Sequence, residues 1–452
     1  MVDGIARPAP MAEIEAGSTG VTSAGSGPGT GPSALGPMLT IALLFFIFGF
    51  VTWLNGPLIT FVKLAFALDD VGAFLVPMAF YLSYFFLALP SSVLLRATGM
   101  KRGMGLGLAV MAAGAVVFGH FTTSRVYTGT LAGLFVIGAG LSILQTAANP
   151  YVSILGPIDR AAQRIAWMGL ANKIAGFLAP FVFGAIALRG LDDFEARVAA
   201  SEGAQRDELL AAFAAQVYWP YMAMAALLLA LAVWITRSRL PDVLPGEVNP
   251  HASDADDGRS ILSFPHLWLG VASLFLYVGV EVLAGDAIGT YGAEQSLPLS
   301  ETRLFTSYTL FAMVIGYAVG VWITPRHMSQ QSYLALSAAL GIALSIGAFM
   351  TRGYASIAFV AALGFANAMM WPAIFPLAIR GLGRHTETGA ALLIMAIAGG
   401  ALMPYAFAVM KQAIDTQLAF LVLTAPSYLF ILYYGARGHA AGQPRATRRS
   451  RP

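Results

Sequence analysis

Twelve stretches of about twenty or more mostly apolar residues recur along this chain, and that feature decides its fold class. A helix of about twenty residues crosses the ~30 Å hydrocarbon core of a bilayer, where each backbone polar group must be satisfied within the protein. The stretches fall at about 38–62, 72–95, 103–121, 127–155, 162–188 and 214–236, then at about 264–290, 302–324, 332–350, 355–381, 386–410 and 416–435. An all-α membrane protein with twelve transmembrane helices is expected. Charged residues make up 11% of the chain, against roughly 25% in soluble domains. Cysteine is absent, which excludes disulfides, thiolate metal sites and cysteine nucleophiles. The six histidines fall in loops or near segment ends, so no metal site is expected in the membrane. A net charge of +3 with scattered basic residues leaves no footprint for nucleic acid.

The chain divides into five parts. Residues 1–36, rich in Gly, Ser, Pro and Ala, read as a disordered cytoplasmic tail. They lack the apolar core of a cleavable signal peptide, so the first apolar segment is expected to act as an uncleaved insertion signal. Residues 37–236 hold the first six segments, 237–263 form a polar cytoplasmic linker, 264–436 hold the second six, and 437–452 form a basic tail. With both termini on one side, that side holds 17 of the 26 Lys and Arg residues and the other holds 8, with Lys173 inside a segment. The bias predicts termini in the cytoplasm. A monomer in the cell inner membrane is expected.

The halves echo each other. Asn149-Pro150 in segment four has a counterpart in Trp371-Pro372 of segment ten, about 222 residues on. Gly156 and Arg160 follow the first pair, and Gly381 and Arg384 the second. A tandem duplication with breaks at matching places predicts two pseudo-symmetric six-helix bundles around a central cavity. Between segments five and six, mixed charges over about 189–213 predict a solvated surface helix.

Polar groups inside the apolar segments mark the candidate site, because each one needs a partner or water. The densest group is Leu144-Gln145-Thr146-Ala147-Ala148-Asn149-Pro150-Tyr151. Gln145 and Asn149 are four residues apart and share one helix face. Asn55, Asn172 and Asn367 add further amides, whose paired donors and acceptors suit a ligand rich in hydroxyls. Tyr277 and Trp371 add aromatic surface for the C–H face of a sugar. Ionisable residues within segments are few: Lys173 in segment five, with Glu281 and Asp286 in segment seven. Lys173 and Glu281 are expected to pair across the halves, to serve function, or both, with Glu281 accepting a sugar hydroxyl or a coupling proton, Lys173 supplying a fixed charge, and Asp286 standing with them as a coupling or charge residue. No nucleophile–base pair or phosphate loop stands out, and no enzyme is expected.

At these residues the chain resembles the fucose/glucose–galactose branch of the major facilitator superfamily. The resemblance covers about 38–410 and rests on Leu144 to Val152 with Leu155-Gly156-Pro157, on Arg164 and Asn172, on Tyr277-Val278-Gly279, and on Pro372-Ala373-Ile374-Phe375 with Leu382-Gly383. It implies the two-bundle fold, a sugar site between the bundles, and alternating access. Two departures matter. Fucose-carrying members have an aspartate after the first-segment asparagine, whereas Asn55 is followed by Gly56-Pro57, which predicts a local break in that helix. Their fourth-segment glutamate falls at Gln145, as on the glucose–galactose side of the branch. The implied proton carriers are therefore missing.

The expected function is import of a hexose such as glucose, galactose or fructose, without a cofactor. The coupling ion is expected to be a proton carried by Glu281. Uniport and sodium coupling are the alternatives, and Lys173 argues against sodium because its ammonium can occupy a cation's place. A multidrug exporter and a sugar-sensing receptor are the other readings weighed. The amides disfavour the first, and the short cytoplasmic parts disfavour the second.

Overall fold

A computed structural model of the chain describes residues 35–154, 161–188, 191–238, 240, 260–324 and 326–442. Most of both tails, the middle of the linker, Leu155-Gly156-Pro157 and Arg160 lie outside these residues. Among the described residues, twelve spans are long and apolar enough to cross a membrane. They are α1 (Gly36–Ala65), α2 (Asp70–Thr98), α3 (Met100–Thr123), α4 (Tyr127–Asn149), α5 (Arg164–Ala187) and α6 (Gly203–Arg237). The second set is α7 (Pro265–Gly285), α8 (Leu299–Ile323), α9 (Gln330–Met350), α10 (Gly353–Ile379), α11 (Thr386–Met410) and α12 (Thr416–Ala436). Each expected segment has its helix, displaced by a few residues at most, except that α6 begins well ahead of its apolar stretch.

Packing repeats between the halves. In the first, α1 packs on α5, α2 on α4, α3 on α4, and α3 on α6. In the second, α7 packs on α11, α8 on α10, α9 on α10, and α9 on α12. Adding six to each number converts one set into the other, so the duplication read in the sequence is structural. The halves meet along two seams, α2 against α11 and α5 against α8. An even number of spans leaves residues 35 and 442 at one end of the bundle, called here the termini's end. The charged stretch after α5 forms a helix over Leu191–Ala199, and its second part, Gly203–Ala215, is the first helical piece of α6.

Prolines explain the breaks. The helix of α1 stops at Trp53 and resumes at Asn55, because Pro57 has no N–H for the Trp53 carbonyl four residues earlier. The break therefore falls just ahead of the predicted Gly56-Pro57. α10 breaks between Asn367 and Met370, ahead of Pro372. The matching break in α4 is not found: its helix runs unbroken over Tyr127–Ile154, through Pro150. The difference lies in a second proline. Pro376 frees the Pro372 carbonyl, so α10 loses two ladder bonds four residues apart, where α4 loses one. The Gln330 amide of α9 then donates to that carbonyl at 2.5 Å.

Candidate functional site

Between the halves lies a cavity with a free volume of about 110 Å³, room for several water molecules. The first half contributes Phe45, Phe48 and Trp53 of α1, Tyr81 and Tyr84 of α2, Gln145 and Asn149 of α4, and Asn172 and Lys173 of α5. The second contributes Tyr277 and Glu281 of α7, Tyr317 of α8, Trp371 of α10 and Ile397 of α11. Helix direction places these residues around the middle of the bundle and toward the termini's end.

At its centre, Lys173 Nζ stands 2.9 Å from Glu281 Oε1, and each residue is 7% exposed. Tyr277 and Glu281 are four residues apart on one face of α7, and the Tyr277 hydroxyl donates to the same Oε1 at 2.7 Å. The Lys173 ammonium also lies 4.4 Å from the centre of the Trp53 ring, a cation–π contact. Trp53 Nε1 donates to Asn172 Oδ1 at 3.4 Å, and Asn172 Nδ2 donates to the Phe45 carbonyl at 3.4 Å. Glu281 thus has a cation and a donor, while Lys173 has an anion and a π face. With both side chains almost fully buried, such pairing offsets much of the cost of desolvating the two charges.

On the other wall, Gln145 Nε2 donates to the Tyr84 hydroxyl at 2.9 Å. Asn149 lines the cavity one turn further along α4. The Trp371 ring stacks at 21° on Phe375, with centroids 5.8 Å apart. Of the residues expected to form a site, the structure brings together Gln145, Asn149, Asn172, Lys173, Tyr277, Glu281 and Trp371.

Three others stand elsewhere. Asn55 is buried behind the cavity, and its amide donates to the Thr52 carbonyl at 2.9 Å beside the α1 break. Asn367 is fully buried and accepts from the Tyr428 hydroxyl at 2.9 Å, which ties α10 to α12. Both amides spend hydrogen bonds on structure in the state seen here. Asp286 lies beyond Glu281 toward the far end, 2% exposed, with the Tyr81 hydroxyl donating to its Oδ2 at 3.4 Å. Sequence reasoning passed over Tyr81 and Tyr84. Their spacing of three in an otherwise apolar segment was the available signal.

The Major Facilitator Superfamily model matches residues 41–404. The chain belongs to that superfamily. It is 34% identical over 404 residues to a protein named glucose/galactose transporter from Brucella abortus, covering 89% of this chain and 93% of the relative. It is 28% identical to the L-fucose-proton symporter of Escherichia coli, covering 81% and 85% of the two chains. Among solved structures, the superfamily transporter FucP in its outward conformation superposes with a TM-score of 0.72 at 25% identity, covering 90% of this chain and 99% of that one. These relatives are transporters and not enzymes.

The far end is sealed here. Asn55–Ala65 of α1 packs against the short helix Ile288–Glu294 that follows α7. Thr306 Oγ1 donates to the Gly285 carbonyl at 2.8 Å, and a Cβ on Gly56 would stand 2.5 Å from Thr306 Oγ1. Lys411 then joins the halves by contacting both Asp70 and Glu294, while Lys63 lies 2.6 Å from the other Asp70 oxygen. Burial alone would lower the Lys411 pKa, but the Asp70 and Glu294 contacts outweigh it and hold the ammonium above its ordinary value. At the termini's end, Arg96 and Glu387 also bridge the halves, at 3.1 Å, but both side chains are exposed. Exposed pairs are worth roughly 0–1 kcal/mol, so the far end carries the stronger lock.

Proposed function

We propose that this protein imports a hexose across the cell inner membrane, with both termini in the cytoplasm and a proton gradient as the driving force. The observation that carries the reading is the gathering of three amides, Gln145, Asn149 and Asn172, around one cavity that also holds Trp371 and the Lys173–Glu281 pair. Amides offer donors and acceptors in the mixed pattern that sugar hydroxyls require. The glucose/galactose transporter of Brucella abortus, at 34% identity, supports the same substrate class.

In this reading, residues 37–236 and 264–436 are the two moving bodies of a monomer, joined by the linker at 237–263. A hexose enters from the far end and lays its apolar face on Trp371. Its hydroxyls engage the α4 amides on one side and Glu281 with Tyr277 on the other. Lys173 compensates Glu281, so we assign Glu281 to the solute as a fixed acceptor, and the coupling proton to another group. Lys173 also supplies the positive charge that a sodium ion would bring, which favours proton coupling over sodium coupling.

Uptake of labelled glucose, galactose, fructose and N-acetylglucosamine into proteoliposomes, with and without proton and sodium gradients, tests the reading. Accumulation of one hexose driven by a pH gradient alone is expected. Stabilisation against heat by hydrophobic cations but by no sugar would overturn it in favour of a drug exporter. Equilibration without accumulation would reduce it to a uniporter.

A further inference from the structure

Among the described residues, Asp286 is an ionisable side chain deep in the seam that belongs neither to the Lys173–Glu281 pair nor to the far-end lock. It is 2% exposed, and among the described residues no lysine, arginine or histidine nitrogen lies within ion-pairing distance. Its Oδ2 takes a 3.4 Å hydrogen bond from Tyr81, and its Oδ1 faces the Gly56 backbone without a well-aligned hydrogen bond. The groups around it come from both halves: Gly56 of α1, Tyr81 of α2, and Thr306 of α8, which reaches the Gly285 carbonyl one residue before Asp286. None of these is charged. The charges that act on it are Glu281 on its own helix and Lys173 on α5, and those two are committed to each other. A bare carboxylate buried this way is costly, and the neutral acid is the form such a site accommodates.

We propose that Asp286 is the proton-binding site of this transporter and that it has alternating access of its own. The proposal rests on the proton-linked reading above and names the group that reading leaves open. When the far end is parted, the Gly56–Thr306 contact opens and Asp286 meets water as a carboxylate. A proton from that water forms an O–H bond on it, and the neutral acid lets the seam close. In the closed state seen here, the way out runs through Tyr81, whose ring both lines the cavity and carries the hydroxyl bonded to Asp286. Breaking the carboxyl O–H bond and passing its proton by way of the Tyr81 hydroxyl to cavity water regenerates the carboxylate, with no other reactant needed. The proton and the solute thus use the same two openings in the same order.

The test uses the full chain in proteoliposomes, with the hexose that the wild type accumulates. With one proton per solute, each unit of pH gradient supports up to about tenfold accumulation. Asp286→Asn is expected to keep counterflow within about twofold of wild type while pH-driven accumulation falls to a ratio of one. Tyr81→Phe is expected to slow pH-driven uptake severalfold more than it slows counterflow. Accumulation by Asp286→Asn at the wild-type ratio would overturn the proposal, and wild-type uptake by Tyr81→Phe would overturn the exit route. Should Asp286→Asn lose counterflow too, Asp286→Glu decides: a recovered pH-driven ratio supports a proton site, and counterflow without it refutes one. A wild type that exchanges hexose but never accumulates it with a pH gradient removes the proton-linked reading itself, whatever the variants do.

Discussion

Lys173 on α5 and Glu281 on α7 form an ion pair at 2.9 Å that crosses from one half of the molecule to the other, with both side chains almost fully buried. Removing one partner strands a buried charge, typically at a cost of about 3–5 kcal/mol, whereas removing both leaves none. Lys173→Met and Glu281→Met are each expected to lower the melting temperature of the detergent-solubilised protein by several degrees. The double variant should recover most of that loss while remaining inactive. Additive losses in the double variant would show that the two residues do not act as a pair.

Sequence alone made this pair legible because so few charges stand inside the apolar segments. The span count was legible for a related reason: hydrocarbon thickness fixes the length of an apolar run, whatever the run packs against. The sequence could not separate Asn55 and Asn367 from the cavity amides, because an amide in a membrane helix signals a need for a partner without saying whether a ligand or a neighbouring group meets it. Tyr81 and Tyr84 were passed over because tyrosine sits easily in apolar segments, and only the fold shows their hydroxyls meeting Asp286 and Gln145. The far-end lock was invisible for another reason. Asp70 and Lys411 look like ordinary loop charges, and 341 positions separate them.

The lock sets which end of the cavity is open. Lys411→Gln removes the contacts to Asp70 and Glu294 at once, and the far end should then part more often. Because the chain has no cysteine, a pair introduced at the far-end tips of α1 and α7 reports that distance without background. Cross-linking by a short reagent is expected to slow at least severalfold in Lys411→Gln. Unchanged cross-linking would show that packing alone closes this end.

The same lock has a defined behaviour at high pH. The folded pKa of Lys411 lies above its ordinary value of 10.5, so its contribution is fully present below about that pH. It is lost only as pH rises through the higher folded value. Between pH 7 and 9.5 the cross-linking rate of the far-end pair should therefore not change through Lys411. A fall in that window that disappears in Lys411→Arg would contradict this assignment.

Gly56 and Thr306 set how closely the far ends approach. A Cβ on Gly56 would stand 2.5 Å from Thr306 Oγ1 and 3.2 Å from its Cγ2. The hydroxyl is held by its bond to the Gly285 carbonyl, so it cannot simply swing aside. Gly56→Ala is expected to lower counterflow about tenfold or more, because the far end no longer closes. Thr306→Ala removes both obstructing atoms, and the double variant should regain much of the lost rate. If the double variant is as slow as Gly56→Ala, the obstruction lies elsewhere.

The cavity's polar wall selects its solute by hydroxyl chemistry in this reading. A site built to hydrogen-bond a hydroxyl discriminates against an analogue lacking it, because its own polar groups are left unpaired. Hydrogen bonds to a charged partner such as Glu281 are worth about 1.5–3 kcal/mol, which is roughly tenfold to a hundredfold in affinity. Competition by the series of monodeoxy hexoses should therefore show at least one position where losing the hydroxyl costs that much. In Glu281→Gln the penalty at that position should shrink, while in Gln145→Leu the penalty should shrink at a different position on the ring. A flat deoxy series in the wild type would mean that the solute does not meet these side chains through its hydroxyls.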